Sequence, residues 1–421
     1  LIVTCLVLTA CTGEPPEGSQ PDPQVTTTGG GTGSPPGDDV TTTTGGSVPV
    51  ANFTAMRSSS TDFVGEGDQV ISSVAVGGPG LVAVGWDTET RAAAVWTSTD
   101  GLAWSRVPHD EAIFGGNGSQ WMFDVTAGGP GFVAVGASAR LLSRTAVVWT
   151  STDGISWTRV SDDQAFAGEE DYAEMRAVTT DGSTFVAVGM VGVQSPDAAV
   201  WTSPDGVAWT RVSDANGDLG GTLRQEMDAV TAGGPGFVAV GREFDIDSFE
   251  EDAAVWTSID GAAWTRVVSD ALSSEGDQRM YGVTAGGPGL VAVGLDWWVE
   301  IPPDAAVWVS PDGANWERVP HSEVFAGPSY QQMMAVTAGD HGVVAVGLSV
   351  HVPGEGSEAT VWVSSDGVNW SLVPHDDASL GGESDQEMHY VVQFGDQLVA
   401  VGLSGPASDL DAAAWVLEGV D

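Results

Sequence analysis

The sequence predicts an all-β protein, a seven-bladed β-propeller of four-stranded blades whose ring is closed by an N-terminal strand completing blade 7. Three observations predict it. One unit recurs seven times in register. Each copy holds four short runs of β-branched and aromatic residues separated by turn residues. The two ends of the repeat region look like halves of a single broken unit.

The unit reads Met-x-x-Val-Thr-Ala-Gly-Gly-Pro-Gly-Phe-Val-Ala-Val-Gly, a variable loop, then Asp-Ala-Ala-Val-Trp-Thr-Ser-x-Asp-Gly-x-x-Trp-Thr-Arg-Val. The Gly closing Val-Ala-Val-Gly recurs at Gly85, Gly136, Gly189, Gly241, Gly294, Gly347 and Gly402. The Trp of Ala-Val-Trp recurs at Trp96, Trp149, Trp201, Trp256, Trp308, Trp362 and Trp415, at spacings of 53, 52, 55, 52, 54 and 53. A length of 421 residues allows two or three domains, but seven copies in register leave no room for a second. The first strand is the Val-Thr-Ala run, such as Asp124 to Ala127. A tight Gly-Gly-Pro-Gly turn leads to the second, such as Phe132 to Val135. Ala-Ala-Val-Trp-Thr is the third and Trp-Thr-Arg-Val the fourth. A solenoid of stacked units is the alternative, and it needs atypical polar caps at both ends.

The ends do something else. The last unit stops after Ala412–Glu418 and lacks its fourth strand, while Asn52-Phe53-Thr54-Ala55-Met56 precedes the first complete unit. Phe53-Thr54 is expected where other units carry Trp-Thr. Phe63 falls eight residues before Ile71, as Phe114 does before Met122 and Phe325 before Met333. The N-terminal segment is therefore expected to supply the fourth strand of blade 7, which removes an open sheet edge.

Between third and fourth strands the turn is Ser-x-Asp-Gly-x-x-Trp six times, with its Asp at Asp100, Asp153, Asp205, Asp260, Asp312 and Asp366. The Asp accepts bonds from turn N–H groups, the Gly permits positive φ, and the Trp packs on the hairpin. This resembles the Asp-box, or BNR repeat, of sialidase-like propellers, over residues 50 to 421. The family pattern is Ser-x-Asp-x-Gly-x-x-Trp, so these copies are one residue shorter between Asp and Gly. The resemblance implies that these Asp residues are structural and lie opposite any active site; calcium binding there is the lesser reading.

Strand direction alternates, so the Gly-Gly-Pro-Gly turn and the Asp turn share one face. The second-to-third and fourth-to-first connections share the other. They are long and variable, and binding usually resides on such loops. Positions that repeat within them serve the repeat: Phe63, Phe114, Phe166, Leu219, Leu272, Phe325 and Leu380, and Gln69, Gln120, Gln225, Gln278, Gln331 and Gln386. The residue after the recurrent Met does not repeat. It is Ser72, Phe123, Arg176, Asp228, Tyr281, Met334 and His389. It is expected to start the innermost strand, at the mouth of the central channel. Arg176, Asp228, Tyr281 and His389 are candidate holders of a polar ligand there; the bland alternative is drift at a loop edge.

Four of the seventeen Trp fall outside the repeated positions, at Trp86, Trp121, Trp297 and Trp298, all on the variable face. Flat aromatic faces stack on sugar rings or anchor protein partners; burial within the loops is the alternative. The acidic loop Arg242–Asp252 makes Asp245, Asp247 and Glu250 weak calcium candidates, with a merely solvated loop the preferred reading. His109, His321 and His375 recur in Val-Pro-His and read as turn residues. No zinc, P-loop, Rossmann or Ser-hydrolase motif is present, so neither cofactor nor metal is expected.

The first ten residues, LIVTCLVLTA, read as the apolar core of a secretory signal. Leu8-Thr9-Ala10-Cys11 resembles the lipobox of bacterial lipoproteins, which implies cleavage before Cys11 and lipid on it. A plain signal peptide is the alternative. The chain begins at Leu1 without Met or a basic segment, so it is expected to start within that signal. Residues 11–47 then form a Gly/Pro/Thr linker with almost nothing apolar to bury. Its reach is roughly 30–36 Å. Residues 48–421 form the propeller. The expected location is the extracellular face of a bacterial membrane, attached only through the lipid, as a monomer.

Acidic residues outnumber basic ones 58 to 13, for a net charge of −45, and all the cations are Arg. Such a charge argues against nucleic-acid partners and against electrostatic attachment to anionic lipid. Sialidases of the resembled fold clamp a carboxylate with three Arg, and Arg91, Arg140, Arg144, Arg176, Arg224, Arg242 and Arg279 lie on the variable side. Their Phe/Tyr-Arg-Ile-Pro motif is absent, however, and Arg57 lies in Ala-Met-Arg-Ser. The leading expectation is a non-catalytic module for a glycan or protein partner. A sialidase-like glycosidase and an envelope assembly factor are the alternatives.

Overall fold

A computed structural model describes residues 52–420, apart from positions 79, 130, 142, 162, 167–171, 275, 288, 299–300, 327–329, 351–355 and 383. Cys11 and the Thr-rich segment lie outside the described residues.

Seven antiparallel four-stranded sheets stand around one axis. The inner strands are Gln69–Gly77, Ser119–Gly128, Ala173–Thr180, Arg224–Gly233, Asp277–Gly286, Gln331–Gly339 and Asp385–Phe394. Each lies against the inner strand of the next blade, and the last against the first, so the ring is closed. The architecture is a seven-bladed β-propeller. Its second strands, such as Gly80–Asp87, are buried on both faces because a neighbouring blade covers each side. The core is accordingly divided into seven apolar clusters, one between each pair of adjacent blades. Val82 and Val84 of blade 1, for example, pack with Phe132, Ala134 and Trp149 of blade 2.

The repeated Trp has a polar task as well. Each indole N–H donates to a backbone carbonyl in the connection entering its own blade: Trp96 to Asp62, Trp149 to Ile113, Trp201 to Ala165, Trp256 to Asp218, Trp308 to Ala271, Trp362 to Val324 and Trp415 to Ser379, at 2.7–3.0 Å. The next residue in each case is the recurrent apolar one, Phe63 through Leu380, and it is buried. One bond and one apolar plug thus hold every incoming loop over its blade. On the outer strand the Arg of Trp-x-Arg lies over the same ring, as Arg106 over Trp96 at 5.6 Å and Arg318 over Trp308 at 4.6 Å.

The Ser-x-Asp-Gly-x-x-Trp turns are near-copies. In the first, Ser98 Oγ accepts from Gly101 N at 2.9 Å. Asp100 Oδ1 accepts from Leu102 N and Ala103 N at 2.9 and 2.8 Å, and Trp104 Nε1 donates to Gly101 O at 2.8 Å. The same bonds recur around Asp153, Asp205, Asp260, Asp312 and Asp366. Those backbone N–H groups hold the Asp100 carboxyl below the ordinary carboxylate range. Gly101 has φ 79°, and a Cβ there would meet Val399 Cγ2 of the preceding blade at 2.8 Å. The turn therefore also seats one blade on the next.

Blade 7 is completed by Asn52–Arg57, antiparallel to the C-terminal strand Asp411–Val420. The register differs from the expectation. Trp415 faces Arg57 as Trp96 faces Arg106, so Ala55, not Phe53, stands at the Trp104 position. No turn joins these two strands, so nothing fixes the register of a hairpin. Pairing runs on to Phe53–Gly419 and Asn52–Val420, and Phe53 is buried edge-on to His341 at 5.4 Å.

Candidate functional site

The mouth of the channel is built by seven β-bulges. In every blade the pairing of first and second strands skips one residue: Ser72, Phe123, Arg176, Asp228, Tyr281, Met334 and His389. These are the seven non-repeating residues. They lie within the inner strand rather than at its start, because the strand continues on the loop side of the bulge, as at Gln69–Ile71. The recurrent Gly of Val-Ala-Val-Gly makes the bulge possible. A Cβ on Gly85 would sit 1.8 Å from Val70 O, and one on Gly189 or Gly241 would sit 2.0 Å from Glu174 O or Glu226 O. The residue before each bulge, Ile71 or a Met, is fully buried, whereas the bulged residue is only partly buried. A bulge re-aims a side chain and frees it from the ladder. Here that gives each blade one residue that can vary.

Blades 3 and 4 use this freedom to place Arg176 and Asp228 at the centre of an ion network that spans blades 2 to 5. Glu174 Oε1 accepts from Arg176 Nε at 2.8 Å, and its Oε2 pairs with Arg144. Asp228 pairs with Arg176 and takes two bonds from Arg279, at 2.9 and 3.0 Å. Glu226 Oε2 lies 2.9 Å from both Arg176 Nη1 and Arg242 Nη2. Arg242 Nη1 closes on Glu251 at 2.6 Å. Burial opposes charge on Asp228, but Arg279 and Arg176 outweigh it and hold the carboxyl at about 2. Burial likewise opposes the charges of Glu174 and Glu226, and Arg176 with its partners keeps both below the usual range. Only Glu251 ends above its ordinary value, burial outweighing Arg242. Sequence reading placed Arg176 and Asp228 on the ring. It did not foresee that they would bind each other, nor the part of Arg144, Glu174, Glu226, Arg242 and Glu251.

An aromatic arc adjoins the network. Trp86 meets Phe123 edge-on at 6.2 Å, and Phe123 stacks with Trp121 at 6.4 Å and 9°. Arg144 lies over Trp121 at 4.9 Å and over Tyr172 at 5.4 Å. At the far end Arg279 lies over Tyr281 at 4.7 Å. An unbroken chain of contacts therefore runs around the mouth from blade 1 to blade 5. His389 sits apart, its Nδ1 3.0 Å from Ile71 O and its Nε2 3.4 Å from Glu387. Trp297 is 44% exposed at a hairpin tip, away from the arc in blade 5. The backbone of Trp298 pairs with Ile301, and its side chain lies outside the described residues.

Below the bulges the ring position reads Ser73, Asp124, Ala177, Ala229, Gly282, Ala335 and Tyr390. Asp124 and Tyr390 stand where the other five are Ser, Ala or Gly, and Asp124 is buried. It accepts from Ser73 Oγ at 2.6 Å, from Val125 N at 2.8 Å and from Val178 N of blade 3 at 2.8 Å. Burial nevertheless raises its carboxyl to about 6. The Asp124 charge, with burial, pushes the Tyr390 hydroxyl well up. Sequence reading missed this group because Asp124 opens an ordinary strand run.

In the acidic loop, Asp245 Oδ1 accepts from Asp247 N at 2.8 Å. Among the described residues no cluster of three or more His, Cys, Asp or Glu could hold a metal ion. His109, His321 and His375 each lie beside a carboxylate, Glu111, Asp304 and Glu358 respectively. No helix among the described residues is long and apolar enough to cross a membrane.

No known family and no curated protein matches the sequence. Solved structures of similar arrangement include Trypanosoma rangeli sialidase in complex with sialic acid, at 14% identity and TM-score 0.45, covering 68% of this chain and 52% of that one. A polysaccharide lyase is similar at 10% identity and TM-score 0.47, covering 83% and 90%. An exo-1,5-alpha-L-arabinanase from a bovine ruminal metagenomic library is similar at 8% identity and TM-score 0.32, covering 58% and 92%. The chain spans about half the length of the sialidase.

Proposed function

We propose that this chain is a non-catalytic binding module whose variable face takes a glycan or protein ligand at the channel mouth. We further propose that lipid on Cys11 anchors it at the outer surface of a bacterial membrane. The observation that carries the binding reading is the set of seven bulges. A ring that repeats almost everything else spends one partly buried position per blade on residues that do not repeat. The aromatic arc supplies ring surface, and the adjoining polar groups supply directional bonds. The mechanism is stacking and hydrogen bonding without bond cleavage. The acidic and basic groups that hydrolysis would use are engaged with one another.

The test is the full-length chain on a broad glycan array, with released sugar followed by mass spectrometry. Retained glycan without release is the expected result, and released sugar would make it a hydrolase. A second reading, an assembly factor for a protein partner, draws on the exposed hairpin tips of the same face. Leu141, Ile246, Phe249 and Trp297 stand there. Binding to a protein partner that survives Trp121→Ala but fails in Phe249→Ser/Trp297→Ser would favour it.

A further inference from the structure

We infer that the ligand accepted at this mouth is an uncharged, hydroxyl-rich ring, a neutral saccharide, and not an acidic one; the inference rests on the binding reading above. Its basis is that the four Arg of the ion network are already spent. Arg144, Arg176, Arg242 and Arg279 face four carboxylates, Glu174, Glu226, Asp228 and Glu251, in equal number. Both oxygens of Glu174 and both of Asp228 are engaged by guanidinium groups. The four Arg side chains are only 14–22% exposed, and their acidic partners 2–17%.

To pair with one of these four Arg, an incoming carboxylate or sulfate would have to displace its acid. That would leave a buried charge without its partner, the costly half of breaking a buried pair. A cationic ligand meets the same closed pairs, and Glu387 is engaged by His389 and by Ser357 at 3.1 Å. The long-range field adds to this, because a chain of net charge −45 repels anions before they reach the mouth. What remains for a ligand is neutral surface, the half-buried rings of Trp86, Phe123 and Trp121. Sugar C–H faces stack on such rings, and sugar hydroxyls both donate and accept, so they fit among paired charges without breaking them.

The experiment titrates the full-length chain with neutral oligosaccharides and with their carboxylated or sulfated counterparts, at low and at high salt. The neutral member of each pair is expected to bind at least about tenfold tighter, with affinity nearly independent of salt. Trp121→Ala should weaken it by about tenfold, and Trp121→Phe, which keeps a ring, should retain most of it. Glu174→Gln, which leaves Arg144 without a charged partner, should raise affinity for the carboxylated member. Preference for the acidic member in the unaltered chain, weakening with salt, would overturn the inference and leave the binding reading standing. Retention of neither class would remove the binding of glycans altogether, and the inference with it.

Discussion

The two ends of the ring are built on opposite rules. At the turn face, six blades spend the same Ser, Asp, Gly and Trp on the same four bonds, and at five of these turns a Cβ on the Gly would run into the blade before it. At the mouth no two blades present the same residue. The contrast has a local cause. A turn residue is held by its own hairpin and by the preceding blade, so any change disturbs both. A bulged residue is left out of the ladder, so Ser72 can become Phe123 or Arg176 without loss of pairing. Repetition builds the ring, and the bulges decouple the mouth from it.

This contrast can be tested first at Arg176, where the mouth has taken on a structural load of its own. Arg176→Ala leaves Glu174, Glu226 and Asp228 short of a partner and is expected to cost about 3–5 kcal/mol in denaturant unfolding. A loss as small as that of a surface Arg would show the network to be ornamental. Next comes the Gly opposite each bulge. Gly241→Ala puts a methyl against Glu226 O and should cost about 2–3 kcal/mol. The same change at Gly347, against Gln332 O, should cost a similar amount although no ion network lies there. Unequal losses would mean that the bulges are not equivalent.

Two buried acids sharpen the comparison through pH. Asp124 titrates at about 6 in the folded chain against an ordinary 3.8, so the fold holds its proton more tightly than the unfolded chain does. Its contribution to stability is present below pH 3.8 and lost as pH rises through 6, an effect on the order of 3 kcal/mol. Asp228 runs the other way. Its carboxyl is held at about 2, so its contribution is present above pH 3.8 and lost as pH falls through 2. Unfolding measured from pH 7 to pH 4 should therefore show a gain on acidification that is missing in Asp124→Asn. Equal profiles would refute the assignment to Asp124. The smallest effect is expected at a single turn. Asp366→Ala removes bonds from Val368 N and Asn369 N at the surface and should cost at most about 1 kcal/mol in thermal unfolding.

Most of the fold was legible because it is written seven times. Strand number, turn chemistry and closure by the N-terminal segment all follow from repeated residues or from the two incomplete ends. The register of closure was not legible, since Phe53 resembles the missing Trp in type while pairing depends on a turn that blade 7 lacks. The ring of seven variable residues was visible as broken symmetry. That they are bulged was not, because a bulge belongs to two strands at once; the recurrent Gly was its only trace. The ion network was hidden for a related reason. Arg144, Glu174, Glu226 and Arg279 come from four blades, and single-sequence spacing cannot pair charges that only ring geometry brings together.

The pairing of Asn52–Arg57 with Asp411–Val420 has a consequence in time. Each blade can form from a single stretch of about 50 residues as the chain is made, but the last sheet needs partners some 360 positions apart. Entropy penalises that closure only mildly, by about 2 kcal/mol more than a blade-sized unit, since the cost grows with the logarithm of length. The delay is the greater burden. Until the final strand arrives, blades 1 and 7 have no neighbour across their shared seam, and Leu81, Ala83 and Val399 face water or another chain. Ring closure is therefore the expected slow phase of refolding, seen as late protection of the Phe53–Arg57 amides in pulsed hydrogen exchange. Early protection of those amides would show that the two chain ends find each other before the blades between them are complete.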